Sequence, residues 1–167
     1  MAHRETHTGT LLGAAGTALV AAVPVAAWGL MGQQDAEGLS ASELDHAFQP
    51  WAVADGTAAA IGATALLVAA VGVTLLARAT LRGALDRRWW QVLGPLTLAG
   101  LVVGVGWRIM TAGVVGANIG AGLTLMFGGP VVAGLVLWAL FRGVWLATRG
   151  TGHGGRGQQL GFAPRGA

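Results

Sequence analysis

Between Thr8 and Thr148 every charged residue except Arg108 and Arg142 falls into one of two segments, and the two segments carry opposite signs. Asp35, Glu37, Glu43, Asp45 and Asp55 occupy the first without a basic residue, whereas Arg78, Arg82, Arg87 and Arg88 outweigh Asp86 in the second. The chain around them is a succession of apolar runs, and that pattern leaves few folds open. A segment inside hydrocarbon must satisfy its own backbone hydrogen bonds, so runs of about 20 apolar residues bounded by charge read as membrane-crossing helices. Composition agrees: 54% of the residues are hydrophobic and 10% charged, against about 25% charged in an ordinary soluble domain.

The expected fold class is an all-α membrane protein, a bundle of four transmembrane helices with a short interfacial helix on the outer side. Spans are expected at about 11–31, 57–77, 89–107 and 123–146, joined by an outer acidic loop, 32–56, and an inner basic loop, 78–88. Trp28, the Trp89-Trp90 pair and Trp107 sit where interfacial aromatics belong. The 167 residues leave room for one membrane domain, 11–148, between an N-terminal tail, 1–10, and a Gly- and Arg-rich tail, 149–167, expected to be disordered. From Ile109 to Phe141 there is no charge, a run too long for one upright helix. The stretch 111–122 is therefore expected to be a connection partly sunk in the interface, in preference to a re-entrant loop, because non-helical backbone at membrane depth needs protein or water around it.

Orientation follows from arginine placement near span ends. The basic loop and the tail with Arg149, Arg156 and Arg165 are expected inside, the acidic loop outside. Four spans then put both termini in the cytoplasm, in a multi-pass protein of the plasma (inner) membrane. The first hydrophobic run exceeds the 7–15 residues of a secretory h-region, and Arg4 before it is balanced by Glu5, so it reads as a retained helix.

In the outer loop Ser40 precedes Glu43 by three residues, the spacing of a capping box, and Leu44 and Phe48 follow at i and i+4. This predicts a helix of about two turns on the membrane surface, closed by Pro50 and anchored by Trp51. Glu43, Asp45 and His46 resemble ligands by type. Adjacent helical residues diverge by about 100°, so Asp45 and His46 would not face one ion, and a solvated acidic face is the expectation; no metal site is assigned.

Arg108 stands at the outer end of the third span, the side from which positive residues are generally absent. Asp55, just before the second span, is its expected partner in a structural ion pair, with snorkelling to lipid phosphate as the competing reading. Small residues supply close helix packing: Gly100 with Gly104, Gly116 with Gly120, and Gly62, Ala65, Ala69 and Gly72 along the second span. Pro24 and Pro95 each remove a backbone hydrogen bond from their helices. Asn118 is expected to cap the fourth helix.

No Asp, Glu, His or Lys lies within the four spans as drawn, so proton-relay carboxylates, haem-ligating histidines and Schiff-base lysines are absent from them. With no cysteine there is no thiol chemistry, and Gly150 to Gly157 lacks the Lys-Ser/Thr ending of a phosphate loop. No catalytic residue and no cofactor is assigned. The arginines sit where positive-inside residues belong, so the basic pI suggests no nucleic acid; the tail's arginines suit anionic inner-leaflet lipid. The expected partners are the lipid bilayer and either a membrane-protein partner or further copies of the chain. The function expected is that of a non-catalytic accessory or scaffold subunit of a membrane complex. The alternative is a small homo-oligomeric channel or transporter component lined by Thr64, Thr74, Thr97 and Thr124. An enzyme or sensor built on the outer acidic loop and Arg108 is a third class.

Overall fold

Each apolar run becomes a helix, because only local i to i−4 bonding satisfies a backbone whose side chains offer it no polar partners. A computed structural model describes residues 2–36, 38, 44–114 and 116–150. Helix α1 spans Ala2–Met31, α2 spans Asp55–Leu81, and a 3-10 turn, Arg87–Trp89, leads into α3, Trp90–Met110. A last rod consists of α4, Ala117–Leu123, a π-helical turn, Thr124–Gly128, and α5, Gly129–Gly150. No strand occurs among the described residues. Four stretches are long and apolar enough to cross a membrane: Gly9–Met31, Asp55–Leu81, Arg87–Met110 and Ala117–Thr148.

The helices overrun the apolar spans. Helix α1 begins at Ala2, since nothing in 2–10 breaks a helix that the apolar run has already nucleated. It stops at Met31, where Gly32 takes φ 70° and turns the chain out, as a left-handed glycine after a helix does. Helix α2 carries Asp55 in its first turn and Arg78 in its last, both favourable to its dipole. The fourth span starts at Ala117, six residues before the expected 123, so the connection shrinks to 111–116. The surface helix expected around Ser40 to Phe48 is not found: 44–48 is non-helical, while Ser40 and Glu43 lie outside the described residues. A two-turn helix is weak alone, and the loop backbone bonds to the end of α3 and the connection after it. Phe48 N donates to Met110 O at 3.3 Å, and His46 pairs with Gly113 in an isolated antiparallel bridge. The tail expected over 149–167 lies, from residue 151, outside the described residues.

The helices stand in the order α2, α1, α3, then the fourth rod, and α2 shares no packed interface with that rod. The bundle is thus open along one side. Where α1 crosses α2, a Cβ added at Gly29 would lie 2.5 Å from Ala58 O, and one at Gly62 would lie 2.7 Å from the Gly29 carbonyl carbon. The two backbones touch. Below this crossing Leu19, Ala22 and Ala26 of α1 pack with Ala65, Ala69 and Leu76 of α2 in the main buried cluster. Helix α3 meets α1 through Gly100 and Gly104, which lie against the Pro24 ring and the Pro24 carbonyl respectively. The fourth rod meets α3 through small residues too: Gly120 faces Ile109, Thr124 faces Gly106, Gly128 faces Val102. The nine residues from 120 to 128 therefore oppose the eight from 102 to 109, and the π turn absorbs the extra one.

Side chains close the basic-loop end. Trp90 Nε1 donates to Thr80 Oγ1 at 3.0 Å, joining α3 to α2, and Arg142 Nε donates to Gln91 Oε1 at 2.6 Å, joining α5 to α3.

Candidate functional site

At the acidic-loop end the geometry centres on a need of α1. Its last four carbonyls have no intrahelical donor, its dipole places partial negative charge there, and its own last turn holds no basic residue. Arg108 of α3 supplies both donor and charge. Its Nε donates to Trp28 O at 2.6 Å, its Nη1 donates to Gln33 Oε1 at 2.8 Å, and its guanidinium carbon lies 4.6 Å from the centre of the Trp28 ring. Gln34 completes the cap, its Nε2 donating to Met31 O at 2.9 Å.

Arg108 is 4% exposed. Burying a guanidinium is costly unless it is well bonded, and each hydrogen bond from a charged donor returns about 1.5–3 kcal/mol. Two of its nitrogens are bonded, but Nη2 has no partner and is shielded from solvent. Such an orphan donor costs about 1–3 kcal/mol.

The expected ion pair with Asp55 does not form: the ion-pair contact within 4.0 Å among the described residues joins His46 to Asp35. The reason is local. The α1 carbonyl and Gln33 already occupy two faces of the guanidinium, while Asp55 opens α2 and stays exposed to water. Arg108 and Asp55 nonetheless line one cavity of about 320 Å³, together with Trp28, Gln33 and the segment 50–54.

Gln33 carries the connection onward. Its Nε2 donates to Thr111 O at 2.7 Å and to Asp35 Oδ1 at 3.0 Å. Asp35 Oδ1 also accepts from Gly113 N at 2.8 Å and lies 3.6 Å from His46 Nε2. Ala36 N donates to Gly113 O at 2.8 Å. The acidic loop is therefore bonded at several points to 108–113, and Thr111, 1% exposed, sits beneath it. A Cβ at Gly113 would come within 2.7 Å of both Asp35 Oδ1 and His46 Nε2, so any side chain there would have to push these two side chains aside. Above this network Trp51 lies between Trp28 and Trp107, with ring centres 6.2 and 5.6 Å away.

The remaining sequence-named residues take other places. Gly116 has φ 81° and serves a left-handed turn before α4, and Gly120 makes ordinary contact with Ile109. Asn118 does not cap α4, whose N-cap is Gly116 with no side-chain bond. His46 pairs with Asp35, not with neighbouring Asp45. Thr64, Thr74, Thr97 and Thr124 each donate to the carbonyl four residues back in their own helix. Gln33 and Gly113 escaped the sequence reading, and Asp35 was named there only as one of the acidic-loop carboxylates, because each works through partners about 75 residues away. The one available signal was a glutamine pair directly after an apolar span.

No protein-family model matches the chain, and neither the curated proteins nor the solved structures contain a match.

Proposed function

We propose that the chain is a multi-pass protein of the plasma (inner) membrane, with both termini cytoplasmic, acting as a non-catalytic accessory subunit of a membrane complex. The observation that carries this reading is the open fourth helix. Within its most apolar window 6% is buried in the protein, against 28% for each of the other three spans. Lipid covers any apolar surface, so exposure alone says little. The pattern says more. Phe127, Val131, Gly134, Trp138 and Phe141 recur at alternating steps of four and three, the 3.5-residue period of a helix–helix seam. All five are exposed, and Gly134 and Phe141 among them lie nearly opposite Ala139, which is buried. Gly134 has open space where its Cβ would stand and forms a hole between two bulky neighbours. A pore through one copy gains no support from the threonines, whose hydroxyl protons are held by their own helices.

The chain lacks cysteine, so single Gly134→Cys, Trp138→Cys and Phe141→Cys variants can be cross-linked in native membranes without background. The reading expects adducts to one different membrane polypeptide from these three positions and none from Ala139→Cys. Adducts only between copies of the chain would transfer the proposal to the homo-oligomeric channel. Equal labelling from all four positions would refute a specific seam.

A further inference from the structure

The cavity at the acidic-loop end holds two unmatched charges. Arg108 is 4% exposed with Nη2 unpartnered, and Asp55 receives no hydrogen bond from any described residue, yet the two side chains line one space without reaching each other. The volume, about 320 Å³, lies at the small end of ligand-pocket sizes, which start near roughly 300 Å³. Trp28 and Trp51 form part of the wall.

Charge selects the occupant. A simple anion on Arg108 would face the Asp55 carboxylate, and a simple cation beside Asp55 would face the guanidinium. A group carrying both signs meets both. We propose that this pocket binds a zwitterionic group, its anionic phosphate or carboxylate oxygen set against Arg108 and its protonated amine set against Asp55 and the Trp51 ring. The guanidinium offers the missing acceptor's donor at Nη2, and an ammonium beside an indole face gains a cation–π contact. Part of the wall is irregular chain, 50–54, and a ligand oxygen reaches the shielded nitrogen by displacing neighbouring side chains of the pocket. The same chemistry has two sources: the phosphoethanolamine headgroup of a lipid in the adjoining leaflet, or a small zwitterion in water.

The test uses the purified full chain in detergent. Native mass spectrometry compares phosphatidylethanolamine with phosphatidylglycerol of the same acyl chains, and titration with O-phosphoethanolamine in the absence of lipid forms the second arm. Wild type is expected to retain phosphatidylethanolamine about tenfold better, the effect of one charge-assisted contact. Asp55→Asn, at an exposed site, should fold normally and lose the preference while still taking up phosphatidylglycerol. Arg108→Gln should lose both lipids; Arg108→Lys, which keeps the charge without the fork, should recover part of the binding if the variant folds. Saturable O-phosphoethanolamine binding that depends on Asp55 assigns a soluble ligand; lipid binding alone assigns the headgroup. Equal retention of the two lipids by wild type with no O-phosphoethanolamine binding, or a preference that survives Asp55→Asn, overturns the proposal.

Discussion

Replacing Gly29 with alanine tests whether α1 and α2 meet backbone to backbone. The added methyl would stand 2.5 Å from Ala58 O and 2.6 Å from Gly62 Cα, where ordinary contact begins at 3.4 Å. Helices α1 and α2 must then part by about 0.9 Å, an opening that forfeits a quarter to a half of the dispersion attraction at the crossing. Overpacking costs about 1–3 kcal/mol, and rigid backbone on both sides places this site near the upper end. Alanine's helix propensity returns about 1 kcal/mol over glycine, leaving a net loss of about 2 kcal/mol. Gly13→Ala is the matched control: the same helix, the same propensity gain, and nothing within 4 Å of the new methyl. Reversible unfolding in mixed detergent micelles should move the two variants in opposite directions, about 3 kcal/mol apart. The Gly29→Ala, Gly62→Ala double variant should cost little more than either single, because the first methyl has already separated the helices. Were Gly29→Ala to stabilise as much as Gly13→Ala, the close crossing would be wrong.

Two further outcomes follow from side-chain placement. Gly113→Ala should break the lock between the acidic loop and the end of α3, raising hydrogen exchange at the Ala36 and Phe48 amides about tenfold or more while α2 keeps its protection; unchanged exchange at both amides would show that the loop does not depend on this contact. Gln91→Leu should cost no more than about 1 kcal/mol, since the Arg142 bond that it removes is exposed. A loss beyond about 3 kcal/mol in the same unfolding assay would mean that this bond, and not the glycine contacts, holds the fourth rod to α3.

The spans were legible because hydrophobic length and bounding charge act locally. The stripe of Gly62, Ala65, Ala69 and Gly72 could be read for the same reason, and all four prove buried. Helix ends were less visible. Nothing in 2–10 forbids a helix, so composition placed a tail where α1 continues. The surface helix failed for a different reason: its capping spacing is a local cue, whereas residues 46 and 48 bond to 113 and 110, contacts no local pattern announces. Arg108 stood out as a positive residue in an unexpected place, but its partner was sought among the carboxylates. A carbonyl at the end of α1 carries no mark in the sequence, and it is what receives the guanidinium.

The π turn makes the fourth helix tolerant of a change that would be disruptive elsewhere in it. In a regular helix eight residues carry a side chain through about 800°, leaving it some 80° off its starting direction, whereas seven leave it only about 20° off. Gly120 and Gly128 are eight apart and both lie against α3, because the wider turn at Thr124–Gly128 removes the excess rotation. Loss of one residue from this turn would restore uniform winding with both faces still directed as before, whereas the same deletion in α5 would rotate all that follows by about 100°. The segment is a dislocation in the rod, the one stretch where length can change while facing does not.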